Sequence, residues 1–182
     1  MPRGCDTVCF YLSPVALTVI LGYSYTKRFT FLSHVVLGIG LALAPIGAYL
    51  AVTGVFAWTP LLISFAVLFW VSGFDIIYSL QDMEFDKNHN LRSFPVLLGQ
   101  KRALVLSSIF HTLTAFFIFY AGYFGEFGTW YWIGCTIFST PLVYQHTLVK
   151  IDDLSKINLA FFTTNGVGSV LFAVFVTLDL TL

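Results

Sequence analysis

The stretch DIIYSLQDMEFDK, residues 75–87, carries four acids, at positions 75, 82, 84 and 86. It directly follows an almost uninterrupted apolar run, LLISFAVLFWVSGF, residues 61–74. Such a run is typical of a helix in a lipid bilayer, where acids are costly and mark functional sites. The junction of the two stretches therefore indicates both the class of the protein and the position of its site.

The composition of the whole chain also indicates a membrane protein. Of its 182 residues, 58% are hydrophobic and 10% are charged, and the mean hydropathy is +0.85. Soluble domains carry about 25% charged residues, so these charges are too few to cover a soluble surface. The net charge is zero, which gives no indication of a nucleic-acid partner.

The cysteines and histidines carry no recognisable motif. Cys5, Cys9 and Cys135 form no CxxC pair, and we expect no disulfide framework. The four histidines are scattered over different segments. We interpret His34 and His111 as hydrogen-bonded histidines of a helix bundle rather than as ligands.

Six apolar segments are long enough, or nearly so, for helices that span a bilayer, which need about 20 residues. They cover residues 8–24, 30–54, 59–80, 101–124, 128–148 and 157–180. The segments are too long and too continuously apolar for the strands of a membrane barrel. We therefore predict an all-α, polytopic transmembrane helix bundle of about six spans, forming a single domain over residues 1–182.

The charges of the connecting loops predict the orientation of this bundle. Eight of the nine basic residues fall on one side: Lys27, Arg28, Lys87, Arg92, Lys101, Arg102, Lys150 and Lys156. Only Arg3 falls on the other side. Because basic loops are retained in the cytoplasm, we expect the acidic stretch to be cytoplasmic and both termini to be outside. The expected location is a bacterial inner membrane.

The acids have the spacing of one helix face. In a continuous helix the members of this face are Asp75, Ser79, Asp82 and Asp86, with Tyr78 beside them. Mg²⁺ is held by one or two carboxylates, by water and by phosphate oxygens of a substrate. Asp82 and Asp86 are therefore candidate Mg²⁺ ligands at a diphosphate site. The alternative is a solvated helix end, in which these acids pair with Lys87 and Arg92.

Two features favour a functional site over a merely solvated helix end. Asp75 lies about two turns, roughly 10 Å, deeper than Asp82, and an ionisable group inside a span is a functional candidate. The same side of the bundle carries Lys27, Arg28 and Arg92, which are candidates for binding diphosphate oxygens.

These residues resemble a signature of the UbiA family of intramembrane prenyltransferases, D-x-x-Y-x-x-x-D-x-x-x-D followed by a basic residue and Ser. Here the signature stands as Asp75, Tyr78, Asp82 and Asp86, followed by Arg92 and Ser93. A second family feature, Y-P-x-x-K-R, stands at residues 23–28 with Ser24 in place of Pro. The resemblance extends over nearly the whole chain from about Phe10.

The resemblance implies transfer of a polyprenyl group from a prenyl diphosphate to an aromatic acceptor such as 4-hydroxybenzoate, in quinone biosynthesis. It implies that Mg²⁺ on Asp82 and Asp86 neutralises the leaving diphosphate, aided by the three basic side chains named above. Aromatic faces, Tyr78 among them, would hold the allylic cation, and Asp75 would orient Tyr78 or a second basic group. The implied partners are the prenyl diphosphate, the small aromatic acceptor and the lipid bilayer.

One family feature is absent from the sequence. The family has nine helices and a first aspartate signature, N-x-x-x-D-x-x-x-D, which these 182 residues do not contain. The six predicted spans match helices four to nine, so we expect a chain that lacks the first three helices. Two alternatives stay open. One is a non-catalytic fragment, or a part of an enzyme whose missing helices come from a separate chain. The other is an ion-coupled membrane transporter that uses Asp75.

Overall fold

The computed structural model describes residues 3–149 and 157–182, and every regular element in these ranges is helical. The α-helices are α1 Arg3–Thr26, α2 Ser33–Thr53, α3 Trp58–Tyr78, α4 Met83–Asn88, α5 Phe94–Leu98, α6 Gln100–Phe124, α7 Thr129–Leu148 and α8 Asn165–Thr181. A π-helical segment, Leu159–Thr164, leads directly into α8. The long helices coincide with the predicted apolar segments, which confirms the all-α helix bundle.

Four of the described helices are long and apolar enough to cross a membrane: α2, α3, α6 and the stretch Phe162–Thr181. The apolar part of α1 is shorter and covers Ser13–Tyr23. In α7 the apolar sequence is interrupted near its end by Gln145 and His146. About six spans therefore remain consistent with the fold, with α1 and α7 as the less apolar members.

Helix α3 lies at the centre of the bundle, because it packs along both α2 and α6. Glycines allow the close approach at both interfaces. A Cβ at Gly38 of α2 would clash with the Ser72 hydroxyl, and a Cβ at Gly73 of α3 would lie 2.5 Å from the His111 ring. Helix α1 packs on α2, and α7 packs on α8.

The helices alternate in direction, so α1 and α3 end where α2 and α6 begin. This end of the molecule, here called the basic end, carries Lys27, Arg28, Lys87, Arg92, Lys101 and Arg102. Lys150 and Lys156, which the sequence analysis placed on the same side, lie outside the described residues. The side chains of Arg3, Cys5 and Cys9 also lie outside the described part, and Cys135 is buried and free.

The opposite end of the bundle is held by a contact between the last two helices. The Asp179 carboxylate of α8 accepts hydrogen bonds from the backbone N–H of Gly128 at 2.8 Å and of Tyr131 at 3.1 Å. These amides belong to the start of α7, where backbone N–H groups have no partner within the helix. Asp179 therefore acts as an N-terminal cap supplied by a different helix.

The acidic stretch is not one continuous helix, and the prediction of a single helix face is wrong in this respect. Helix α3 ends at Tyr78, and the following amides bond three residues back, as from Asp82 to Ser79 at 3.1 Å. The Ser79 hydroxyl donates to the Ile76 carbonyl at 2.9 Å, a local bond that competes with regular helix. The chain becomes helical again in α4, so Asp86 is turned independently of Asp75.

Candidate functional site

A polar cavity of about 240 Å³ opens at the basic end, among α1, α2 and α3. Its lining consists of Tyr23, Lys27, Ser33, Asp75, Tyr78, Ser79 and Asp82. We call it the aspartate cavity. Four of the predicted site residues, Asp75, Tyr78, Asp82 and Lys27, are thus brought together. Despite the break after Tyr78, the turn keeps Asp82 on the same cavity as Asp75.

Asp75 is hydrogen-bonded to a buried histidine. His34 Nδ1 lies 2.6 Å from Asp75 Oδ2, and the His34 side chain is 0% exposed. Because an ionised carboxylate can only accept, Nδ1 carries the proton and donates it. The ring of His34 stacks on Phe94 with centroids 5.7 Å apart. This contact fixes both the position of the Asp75 carboxylate and the plane of the imidazole.

Asp86 lies in an ion pair with Lys27 beside the cavity. Lys27 Nζ is 3.3 Å from Asp86 Oδ2, and the side chains are 28% and 2% exposed, respectively. The predicted alternative paired the acids with Lys87 and Arg92; for Asp86 the described residues show Lys27 as the partner instead. Lys27 therefore bridges the cavity wall and the buried carboxylate of Asp86.

Arg28 and Arg92 do not line the aspartate cavity. The Arg92 backbone N–H donates to the Lys27 carbonyl at 2.7 Å, and its Nη1 donates to the Phe29 carbonyl at 2.7 Å. The Arg28 guanidinium lies over the Tyr25 ring, 5.6 Å from its centroid. Arg92 thus ties the loop after α4 to the loop that carries Lys27, and the guanidinium is directed at the backbone.

Tyr23, Ser33 and His34 belong to this site but were not predicted as site residues. Tyr23 was noted only as part of the second family feature, and His34 was expected to be a hydrogen-bonded bundle histidine, which its contact with Asp75 confirms. Tyr23 and Ser33 line the cavity, and the Ser33 hydroxyl is buried without a hydrogen-bond partner in the described residues. The available signal was position. Ser33 and His34 begin α2 immediately after the basic loop, and the first turn of α2 must meet the last turn of its antiparallel neighbour α3.

The oxygen atoms of the cavity lining fit a divalent cation that is also bound by the phosphate groups of a substrate. Asp75 and Asp82 contribute two carboxylates, whereas the ammonium of Lys27 is shared with Asp86. Mg²⁺ prefers such oxygen ligands and completes its shell with water and substrate phosphate. Among the described residues, no group of three or more Asp, Glu, His or Cys side chains is placed to hold a metal. Further ligands would have to come from other groups, such as phosphate oxygens.

Comparison with known proteins identifies the family. Residues 4–167 match the model of the UbiA prenyltransferase family. The chain belongs to this family. The resemblance carried by the aspartate signature is therefore confirmed, and this UbiA family member is an integral membrane protein of a prenyltransferase family.

Individual relatives agree with this assignment. A 4-hydroxybenzoate octaprenyltransferase of Tolumonas auensis is 30% identical over 164 residues, which cover 90% of this chain and 57% of the relative. The corresponding protein of Hahella chejuensis is 27% identical over 167 residues, covering 92% and 55%. The chain thus spans a little over half the length of these curated relatives.

A solved structure gives the same fold. The apo structure of a UbiA homolog from Aeropyrum pernix K1 matches with a TM-score of 0.80 at 28% sequence identity. The match covers 93% of this chain and 63% of the archaeal chain. The helical arrangement described above is therefore that of the UbiA family.

Proposed function

We propose that this UbiA family member transfers a polyprenyl group from a prenyl diphosphate to an aromatic acceptor of the 4-hydroxybenzoate class, in quinone biosynthesis. The observation that carries the proposal is the aspartate cavity, in which Asp75, Asp82 and Lys27 meet at one end of an apolar bundle. The names of the relatives support this acceptor class. In the proposed orientation the basic end faces the cytoplasm of a bacterial inner membrane.

We propose Mg²⁺ as the cofactor, held by Asp82 and Asp86. Bound there, Mg²⁺ would supply positive charge that stabilises the departing diphosphate. Asp82 lines the cavity, and the ion pair with Lys27 holds Asp86 beside it. Because Lys27 contacts both the cavity and Asp86, diphosphate oxygens offer its ammonium a second anionic partner. Arg28 and Arg92 stay candidates for diphosphate binding at the outer edge, and Arg92 also holds the Lys27 loop in place.

The remaining steps use the chain's own side chains. The allylic C–O bond breaks with its electron pair staying on the diphosphate, and Tyr78 offers an aromatic face to the cation. A carbon of the acceptor ring then bonds to the cation and the ring loses a proton. Asp75 lines the cavity and could accept this proton, and its hydrogen bond with His34 holds the carboxylate in position. Of the two roles expected for Asp75, orienting Tyr78 or a second basic group, the contact with His34 supports the second.

The test is prenyl transfer in membranes of a prenyltransferase-deficient host. The chain is fused to the part of the Tolumonas auensis relative that it does not match, and labelled prenyl diphosphate and 4-hydroxybenzoate are supplied. We expect Mg²⁺-dependent product, with a loss on the order of 10²-fold for Asp82→Asn. The matched control is Glu84→Gln, an exposed acid on α4 outside the cavity lining. Near-full turnover of Asp82→Asn with unchanged Mg²⁺ dependence would contradict the assignment.

A further inference from the structure

A second polar cluster lies between α6 and α7, away from the aspartate cavity. His111 Nδ1 of α6 is 2.8 Å from His146 Nε2 of α7, and Gln145 Nε2 is 3.1 Å from the same His111 nitrogen. A cavity of about 310 Å³ adjoins the pair. Its lining includes Thr112, Ala115, Ser139, Leu142, Val143 and His146. We call it the α6–α7 cleft.

The surroundings of His111 define which nitrogens carry protons. A charged imidazole inside a membrane span is costly, so we assign both rings as neutral. His111 is 3% exposed, and its Nε2 is buried against α3 at Gly73. The side-chain nitrogen of Gln145 belongs to an amide and can only donate, so His111 Nδ1, 3.1 Å away, is an acceptor. A neutral imidazole has one N–H, and that of His111 is therefore on Nε2.

The assignment of His111 determines that of its partner. Since His111 Nδ1 accepts, His146 Nε2 must donate to it across the 2.8 Å contact, and the Gln145 amide donates as well. The other nitrogen of His146, Nδ1, is then unprotonated, and no described residue donates a hydrogen bond to it. His146 therefore presents a free acceptor from a ring that lines the cleft.

A second unsatisfied group lies on the same helix. The Ser139 hydroxyl is buried and has no hydrogen-bond partner among the described residues. An unpaired polar group costs free energy when it is removed from water, and no water is available in the hydrocarbon region to compensate it. Ser139 and His146 are seven residues apart on α7, which is two turns or about 10 Å along the axis. A ligand with a single hydroxyl cannot reach both Ser139 and His146, whereas a ring with polar groups at opposite ends can hydrogen-bond to both.

We propose that the α6–α7 cleft binds a para-substituted phenol that bears an apolar tail. Its hydroxyl donates to His146 Nδ1, the oxygen at the opposite end of the ring accepts from Ser139, and Ala115 and Leu142 contact the ring. A quinone offers only acceptors and leaves the His146 nitrogen unsatisfied. The volume is at the lower end of the range of small-molecule sites, about 300–1,000 Å³, and suits one substituted ring.

The shape of the cleft decides where the tail lies. Thr112 and Val143 line the cleft and are exposed on the outer surface of the bundle, which faces lipid in a membrane protein. An apolar tail can therefore extend into the bilayer while the ring stays in the cleft. The choice of an isoprenoid tail rests on the proposed function, whose product is a phenol of this kind; the ring contacts rest on the cleft alone. The cleft thus suits the product in its uncharged form, and α3 separates it from the aspartate cavity.

The experiment is equilibrium binding of the radiolabelled methyl ester of 3-geranyl-4-hydroxybenzoate, whose para oxygens carry no charge, to the purified full chain in lipid nanodiscs. We expect saturable binding that weakens about tenfold when one neutral hydrogen bond is lost, in His146→Phe and in Ser139→Ala. The methyl ether of the same ligand should bind the unmodified protein about tenfold more weakly. In the His146→Phe variant the methyl ether and the phenol should bind equally well, because neither ligand can form a hydrogen bond with residue 146. Thermal unfolding of each variant verifies the fold. Ser139→Ala removes only one hydroxyl, so it tests the proposal with less disturbance of the packing than His146→Phe.

The same assay separates this proposal from the proposed function, since it requires no turnover. Asp82→Asn, which alters the aspartate cavity, should leave binding unchanged. Loss of binding in Asp82→Asn would place the ligand in the aspartate cavity and overturn the proposal. Equal affinities of phenol and methyl ether, or no saturable binding to the unmodified chain, would overturn it as well.

Discussion

Nδ1 of His34 donates a hydrogen bond of 2.6 Å to Oδ2 of Asp75, across the interface between the first turn of α2 and the last turn of α3. The imidazole is fully buried, whereas the Asp75 side chain is 23% exposed toward the aspartate cavity. The histidine therefore stabilises a carboxylate that remains accessible to a ligand. In the proposed reaction Asp75 would therefore contact the ligand, and His34 would hold the carboxylate in position.

Removing the imidazole should destabilise the protein measurably. We expect His34→Ala to lose about 1.5–3 kcal/mol, the range for a hydrogen bond to a charged group. For a chain of this size that corresponds to about 3–12 °C in Tm, measured by thermal unfolding in detergent. His89→Ala, an exposed histidine on the same end, should change stability by less than about 0.5 kcal/mol. Equal effects of the two variants would show that the pair with Asp75 contributes nothing.

The ion pair of Lys27 and Asp86 should show strong coupling in a double-mutant cycle. Lys27→Met leaves the buried Asp86 carboxylate without its partner, which costs up to about 3–5 kcal/mol. Adding Asp86→Asn removes the stranded charge, so the double variant should be more stable than Lys27→Met alone. Lys87→Met, on the exposed side of α4, is the control. The explanation is refuted if Asp86→Asn does not recover stability in the Lys27→Met background.

The orientation of the bundle is testable by cysteine accessibility. Single cysteines are placed at Asn88 and Glu126 after the native cysteines have been replaced by serine. Because the basic end should be cytoplasmic, a membrane-impermeant thiol reagent should label position 126 in intact cells and reach position 88 only after permeabilisation. Labelling of position 126 from the cytoplasm alone would invert the topology.

The 182 residues alone should not catalyse prenyl transfer at a measurable rate. They contain one aspartate signature, and the family resemblance implies two that face a diphosphate together. Preorganised charge at a leaving group is often the largest contribution to a rate enhancement, and each 1.36 kcal/mol of barrier is about tenfold in rate. The assay uses labelled prenyl diphosphate, 4-hydroxybenzoate and membranes of a deficient host. Robust Mg²⁺-dependent product from this chain by itself would show that one signature suffices.

The helices and part of the cavity could be predicted from the sequence because both depend on short-range spacing. Continuous apolar runs specify membrane helices directly. The distance of seven residues between Asp75 and Asp82 brings them to one side of the chain, and they share the cavity even though α3 ends between them. The break itself was not predictable, because Ser79 and its neighbours are compatible with a helix. Because of this break, Asp86 pairs with Lys27 beside the cavity and is not part of the lining.

The contacts between helices could not be predicted, because they depend on how each helix is rotated about its axis. Lys27 and Asp86 are 59 residues apart, and His34 and Asp75 are 41 apart. His111 and His146, which the sequence analysis regarded as scattered, meet across 35 residues. The spacing of residues within one helix contains no information on these pairings. One of them depends on a glycine, because a Cβ at Gly73 would lie 2.5 Å from the His111 ring.

The cap that Asp179 supplies to α7 affects how the protein is assembled during synthesis. Until α8 is made, the N–H groups of Gly128 and Tyr131 have no carboxylate that can accept their hydrogen bonds. The start of α7 must then stay hydrated at the membrane surface, since these groups cannot enter hydrocarbon unpaired. The arrival of α8 supplies the carboxylate that accepts from both groups. The start of α7 therefore depends on α8 for its capping, although α8 is made after it.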